Sequence, residues 1–179
     1  LPIGPLVSKL YVTGSGELTL QLARAVGATG YVLGQDASAD MIDKAQALHS
    51  VSTTAGCEMA TTEFVVRDAH DALALELQGR FDKVFSNAAL HWMKRSPSMV
   101  LSHIYSALRP GGSFAAELGG FMNCIALRGH LHTALRRRGF NPVHYDPWFF
   151  PSAAEYTELL QHAGFIVEHC ELVPRLTPL

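Results

Sequence analysis

An α/β fold, with a mostly parallel sheet and helices on both faces, is the architecture that the sequence predicts. Strand-like apolar segments alternate with segments whose apolar residues recur at helical spacing, almost throughout the chain. Glycine, aspartate or asparagine stands at or just after the end of each of the first four strand-like segments. With 179 residues the chain can bury one substantial core, and we predict one domain over residues 1–179.

The composition is typical of a folded globular protein, with 48% hydrophobic and 17% charged residues. A net charge of −2 gives no general attraction to nucleic acid or anionic membranes. The cysteines, Cys57, Cys124 and Cys170, are widely spaced and odd in number, which predicts no disulfide framework. No segment resembles a signal peptide or a membrane span. We therefore predict a cytoplasmic protein.

Local signals set the expected elements. Ser38 can cap a helix, Pro97 suits a first helical turn, and Gly139 can end a helix in a left-handed conformation. Ser152 and Glu155 form the pattern of a capping box. The predicted helices lie at 17–26, 38–48, 97–108, 123–138 and 152–162. The predicted strands lie at 6–12, 31–33, 63–68, 81–87, 113–118 and 165–173.

The residues that follow the first four strands are the candidate ligand-binding residues, since parallel strands end at one edge of a sheet. Gly14 and Gly16 follow the first strand and allow a ligand to approach the start of the next helix. Asp36 follows the second strand, where a carboxylate can accept both hydroxyls of a ribose. Asp68 ends the third predicted strand and Asn87 ends the fourth.

The glycine turn favours a cofactor without phosphate. Thr19 stands where the dinucleotide fingerprint requires a third glycine, and no lysine follows Gly14 and Gly16 as a P-loop requires. A cofactor with a ribose and a carboxylate fits these residues better. A nicotinamide oxidoreductase is the weaker alternative.

Six segments, in chain order, carry a family resemblance: GELTLQLA, VLGQDASADMIDKA, FVVRDAHD, FDKVFSNAALHWM, LRPGGSFAAELGG and FFPSAAEYTELLQHAGFIVEHCELVPRLTPL. They resemble the class I S-adenosylmethionine-dependent methyltransferases, in particular the small-molecule group that includes trans-aconitate methyltransferase. The resemblance implies a Rossmann-like methyltransferase fold, S-adenosylmethionine as cofactor and methyl transfer to a small molecule. The chain resembles a form shortened at both ends, without the family's helical sequence before the first strand and its last antiparallel strand.

The resemblance also implies a role for each candidate residue on the cofactor's methionine and ribose side. Gly14 and Gly16 would lie under the methionine part of the cofactor. Asp36 would bind the ribose hydroxyls, with Ala37 beside it.

On the other side of the site, Asp68 would accept a hydrogen bond from the adenine amino group, and the amide of Ala69 would meet a ring nitrogen. Asn87 would line the sulfonium side. His91 and Trp92 would face the substrate.

Two positions depart from the family. The first loop glycine of the family falls on Val12, and the acid that ends its first strand falls on Leu10. The loss of one charged hydrogen bond weakens binding by roughly 10- to 100-fold. A non-catalytic relative that acts through protein contacts is therefore the alternative to an enzyme.

The most favoured reaction is O-methylation of a carboxylic acid, which is ionised at neutral pH and needs no base. His91 is open to three interpretations: a base, a substrate hydrogen-bond donor or a packed side chain. Arg128 could orient the substrate, and the aromatic segment 144–151 is a substrate wall or part of the core. His130 and His132, two apart on a helix, face different directions, so we predict no metal site.

Overall fold

The computed structural model describes residues 8–12, 14–54 and 58–175, with backbone alone for 8–12 and Thr54. Five strands are described: β1 Ser8–Val12, β2 Tyr31–Asp36, β3 Thr61–Val66, β4 Phe81–Asn87 and β5 Leu108–Glu117. Six α-helices are described: α1 Glu17–Val26, α2 Ala39–Thr54, α3 Pro97–Ala107, α4 Ile125–Arg137, α5 Pro142–Tyr145 and α6 Ala153–His162. Short 3₁₀ turns lie at Leu75–Leu77 and Leu90–Trp92.

The five strands form one parallel sheet in the order β3-β2-β1-β4-β5. Val12 of β1 pairs with Gln35 of β2 and with Ser86 of β4. The loops after these three strands therefore leave the sheet at the same level. The order of the strands reverses between β1 and β4, which is where such sheets bind ligands.

Helices cover both faces of the sheet, as the sequence predicts. Val32 of β2 packs in a small cluster with Ala23 of α1. Its neighbour Leu33 lies in the larger cluster, with Phe81 of β4 and Leu101 of α3. Because successive side chains of a strand point to opposite faces, the two clusters are the two covered faces. Among the described residues, no helix combines the length and apolar character that a membrane span needs.

The predicted caps are confirmed. Pro97 lies in the first turn of α3, and Gly139 follows α4 with a φ of 78°. The Ser152 hydroxyl accepts from the Glu155 N–H at 3.2 Å, and the Glu155 carboxylate accepts from the Ser152 N–H at 2.8 Å. These local bonds need no distant partner, which is why the sequence reveals them.

The prediction of a strand at 165–173 is wrong. The alternating pattern is present, but the segment joins no ladder, and β5 pairs only with β4 among the described strands. A strand is defined by its hydrogen-bonded neighbour, and alternation alone does not supply one. Other bounds shift: β5 begins at Leu108, so Arg109–Gly112 belongs to the strand, and β3 ends at Val66 before Arg67.

Several sequence predictions concern residues outside the described set. The predicted first strand begins at residue 6, whereas the described part starts at Ser8. Cys57 and the side chains of Leu10 and Val12 are also outside it. The effect of the two departures from the family on the glycine turn therefore stays a prediction.

Replacing Gly16 by alanine is expected to destabilise the protein by about 3 kcal/mol. Gly16 has a φ of 95°, and an added Cβ would lie 2.7 Å from the Cβ of Ala45 in α2 and 2.8 Å from its Cα. The backbone strain of an alanine at this φ and the overlap of its Cβ with Ala45 therefore both destabilise the variant. Gly79→Ala is the matched control, because Gly79 has a φ of 61° and open space around it. Equal losses in urea unfolding for the two variants would contradict the packing argument.

Candidate functional site

A cavity of about 510 Å³ lies over the carboxyl ends of β1, β2, β3 and β4. Pockets of roughly 300–1,000 Å³ are typical of cofactor and small-molecule sites. The residues that line it lie at the carboxyl ends of these strands and in the segments that follow them: Gly14, Gln35, Asp36, Ala37, Ser38, Met41, Arg67, Asp68, Ala69, His70, Asn87, Ala88, Ala89, Trp92 and Met93. The structure thus brings together seven of the nine predicted site residues.

Asp36 joins the first two loops. Its Oδ2 accepts from the Gly14 N–H at 3.0 Å, and its Oδ1 accepts from the Ser38 N–H at 2.9 Å. Each carboxylate oxygen accepts more than one hydrogen bond, so both keep capacity for a hydroxyl. Gly14 makes this approach possible with a φ of 52° and no atom near its missing side chain.

Asp68 is held by its own loop at the end of β3. Its Oδ1 accepts from the His70 N–H at 2.9 Å, and His70 Nδ1 lies 2.7 Å from the same oxygen. Its Oδ2 accepts from Arg95 at 3.3 Å. The backbone N–H of His70, then its ring, keep the pKa of Asp68 below the ordinary value. Asp68 is therefore an ionised acceptor at neutral pH.

Three cavity-lining residues carry buried polar atoms without a partner among the described residues. These atoms are Gln35 Oε1, Arg67 Nη1 and His70 Nε2. Buried polar atoms are rarely left unpaired, and the exceptions concentrate where a ligand or ordered water completes the bonding. The lining of the cavity is therefore that expected of a site for a polar ligand.

The end of β4 is strained. Ala88 has a φ of 53°, which is uncommon for a residue with a side chain, and its N–H donates to the Glu117 carbonyl of β5 at 2.8 Å. Such strain concentrates at functional sites because the surrounding structure must hold it. Asn87 and Ala88 both line the cavity at this point.

His91 lies beside the cavity rather than among the described residues that line it. Its Nδ1 accepts from the Gly119 N–H at 3.1 Å, and its carbonyl accepts from the Phe149 N–H at 2.8 Å. Because an amide N–H only donates, Nδ1 carries no proton, and the neutral ring bears its proton on Nε2. Burial lowers the pKa of His91 below its ordinary value of 6.5, so the ring is neutral at pH 7.

Aromatic rings continue from His91 along one side of the site. The His91 ring lies 5.6 Å from the Phe150 ring, which stacks on Trp148 at 5.8 Å with 10° between the planes. Trp148 lies 5.7 Å from Trp92, which lines the cavity and is 57% exposed. We call Trp92, Trp148 and Phe150 the aromatic wall. Its exposed end is Trp92, beside the cavity, whereas Phe149 of the segment 144–151 packs against the larger core cluster.

Arg128 is not free to orient a substrate in the manner predicted. Its Nε and Nη2 donate to Asp146 Oδ2 at 3.0 and 2.7 Å, and His132 Nε2 lies 2.9 Å from the same oxygen. The guanidinium also lies 5.2 Å from the centre of the Phe150 ring. Burial raises the pKa of Asp146, but the bonds from Arg128, the Trp148 N–H and His132 outweigh it and leave the pKa below the ordinary value. Arg128 therefore anchors the aromatic wall.

Gly16 is the second predicted site residue that does not line the cavity among the described residues. It packs against Ala45, so its cofactor contact stays a prediction from the resemblance. Gln35, Arg67 and His70 also line the cavity, although the sequence patterns do not single them out. Each lies within two positions of Asp36 or Asp68 in the sequence, and this proximity was the available signal.

Comparisons with known proteins agree with this architecture. Residues 12–112 match the model of a family described as methyltransferase domain. An uncharacterised methyltransferase of Schizosaccharomyces pombe is 36% identical over 171 residues, which are 92% of this chain and 60% of that protein. Trans-aconitate 2-methyltransferase of Deinococcus radiodurans is 39% identical over 106 residues, which are 59% of this chain and 34% of that enzyme. The chain thus spans between a third and two thirds of these relatives.

A solved structure shares the fold. An arsenic(III) S-adenosylmethionine methyltransferase from Chlamydomonas reinhardtii superposes with a TM-score of 0.63 at 20% identity, over 92% of this chain and 54% of the other. The match covers most of this chain and supports the same Rossmann-like fold. Fold and family therefore agree.

The chain belongs to the methyltransferase domain family, and its class is that of the S-adenosylmethionine-dependent methyltransferases with a Rossmann-like fold. The cofactor of this class is S-adenosylmethionine. The residues present fit that group: the cavity is of cofactor size, Asp36 keeps acceptor capacity for hydroxyls, and unpaired polar atoms line the wall.

Proposed function

We propose that the protein transfers a methyl group from S-adenosylmethionine to a carboxylate oxygen of a small molecule. S-Adenosylmethionine supplies an electrophilic methyl group. In this proposal Asp36 holds the ribose, Gly14 and Gly16 lie under the methionine part, and the tip of β4 at Asn87 lines the sulfonium side. Ala37 lies beside the ribose. A cytoplasmic location is part of the proposal and is supported by the free thiols of Cys124 and Cys170.

The hydrogen bond from the Gly119 N–H to His91 Nδ1 carries the proposal. It occupies the lone pair that a base would use, and burial disfavours the protonated ring. With His91 engaged in this way, a nucleophile that is already ionised at neutral pH needs no proton removed by it, and a carboxylate has a pKa of about 4. His91 Nε2–H can donate to the substrate carboxylate and hold it. Of the three interpretations of His91, the donor is the one that we adopt.

The aromatic wall supports the same reaction. Methyl transfer depends on holding two reactants in line in a site without water, and little acid or base chemistry is needed. Trp92, Trp148 and Phe150 form a continuous apolar surface beside the cavity. They would exclude water and cover the apolar body of the substrate. One relative is named for its action on trans-aconitate, which is a carboxylate.

The test is turnover with a panel of carboxylic acids and with the matching primary amides and alcohols, measured as S-adenosylhomocysteine formed. We expect turnover with acids alone, and a product methyl ester that mild base hydrolyses. Turnover of the amides or alcohols instead would contradict the substrate class. Failure to bind the cofactor at millimolar concentration would favour the non-catalytic alternative, acting through protein contacts.

Variants of His91 separate a donor from a base. Glutamine places an amide nitrogen about where Nε2 stands, whereas asparagine places an amide oxygen about where Nδ1 stands. We expect His91→Gln to keep kcat/KM within about tenfold of the native value and His91→Asn to lose roughly 10- to 100-fold. A base would instead be worth roughly 10²- to 10⁴-fold, which glutamine could not supply.

The pH profile is the second readout for His91. With its pKa below 6.5, the ring stays neutral at higher pH, so the rate should be constant above pH 7. As pH falls through this lowered pKa, the ring gains a proton at Nδ1, loses the bond from Gly119, and the rate should decline. A rate that keeps rising between pH 7 and 9, with an inactive glutamine variant, would establish a base and contradict the donor role.

A further inference from the structure

In the proposed cofactor placement, the order of the strands puts the base of the nucleoside over β3. In the sheet order β3-β2-β1-β4, the proposed ribose site Asp36 ends β2 and the proposed sulfonium site Asn87 ends β4. A nucleoside whose 5′ end points toward β4 extends its base in the opposite direction, away from β1. The group at that end of the cavity is Asp68, which follows β3 and lines the same cavity.

One carboxylate oxygen of Asp68 already accepts two hydrogen bonds, and the other can accept a further one. Oδ1 accepts two bonds from His70, at 2.9 Å from the backbone and 2.7 Å from ring Nδ1. Oδ2 accepts a single bond of 3.3 Å from Arg95, whose side chain is 66% exposed and whose contribution is therefore small. Oδ2 is thus the atom that can accept a further donor.

His70 is the rigid partner in this pair. Its side chain is 9% exposed, against 40% for Asp68, and it lines the cavity. Among the described residues its ring makes one hydrogen bond, the one to Asp68, and its buried Nε2 has no partner. A half-exposed carboxylate would otherwise sample several rotamers, and the Nδ1 bond selects one.

We propose that His70 is a positioning residue that makes the cavity selective for a purine carrying a 6-amino group, by holding the Asp68 carboxylate in the orientation in which Oδ2 accepts from that group. The inference rests on the proposed cofactor placement. It assigns His70 no contact with the reacting atoms. Its consequence is specificity: the amino group is recognised strongly only while His70 holds the carboxylate.

The test compares two ligands by calorimetry, S-adenosylhomocysteine and its analogue without the 6-amino group. The native protein should prefer the first by roughly 10- to 100-fold, the worth of one hydrogen bond to a charged group. His70→Leu should reduce that preference to less than about threefold. His70→Asn should largely restore it, because the asparagine amide nitrogen stands about where Nδ1 does.

His103→Leu is the matched control. His103 Nδ1 donates to the Ala69 carbonyl at 3.0 Å, so this variant loosens the same loop without touching Asp68. It should weaken both ligands alike and leave their ratio unchanged. A ratio that His70→Leu does not change, or that His103→Leu lowers equally, would overturn the inference while the proposed function stands. A native protein that binds neither ligand would overturn both.

Discussion

Asp36→Ala is expected to lower the affinity for S-adenosylhomocysteine by at least 100-fold. In the proposed site Asp36 receives two ribose hydroxyls, and each hydrogen bond to a charged group is worth about 1.5–3 kcal/mol, so two amount to roughly 10²- to 10⁴-fold. The same substitution removes the acceptor of the Gly14 and Ser38 amides, which lie 3.0 and 2.9 Å away. Calorimetric titration measures the loss.

Two variants separate ligand contact from loop support. Asp36→Asn keeps one carbonyl acceptor and should retain more affinity than the alanine variant. Asp40→Ala removes an exposed acid from the first turn of α2 and should leave binding unchanged. Urea unfolding shows whether Asp36→Ala is folded. A folded Asp36→Ala protein whose affinity lies within about threefold of the native value would contradict the assignment of Asp36 to the ribose.

Asp146→Ala is expected to destabilise the protein by about 3–5 kcal/mol, the typical loss when one partner of a buried ion pair is removed. The Asp146 side chain is 3% exposed and the Arg128 side chain 24% exposed, so the arginine would keep its charge with little water to replace the carboxylate. The Trp148 N–H, 3.1 Å from Oδ1, would also lose its acceptor. Denaturant unfolding measures the change.

Asp146→Asn is the matched variant, since it keeps the shape and one acceptor and removes the charge. We expect it to lose about half as much stability as the alanine variant. Both variants should also weaken turnover, because Asp146 holds the loop that carries Trp148 and Phe150. A loss below about 1 kcal/mol for Asp146→Ala would mean that the pair behaves like an exposed one.

The site was predictable where the signal was local. A glycine turn after one strand and a carboxylate after the next are read from adjacent residues, and Gly14, Asp36 and Asp68 do line one cavity. His70 follows Asp68 by two positions and could have been found by asking what caps that loop. The role of His91 could not be predicted from the sequence. Its hydrogen-bond donor is the backbone amide of Gly119, 28 residues away, and no side-chain pattern marks a backbone amide.

The sequence by itself determined the alternation of strands and helices and the caps of α3 and α6, because propensity and capping act within a few residues. It also determined which polar residues stand at the strand ends. Only the tertiary structure decided which segments pair. It left 165–173 outside the sheet, committed Arg128 to Asp146, and set Gly16 against Ala45. A ladder, an ion pair and a close contact each need two segments to meet, and the chain's own periodicity does not specify which ones will.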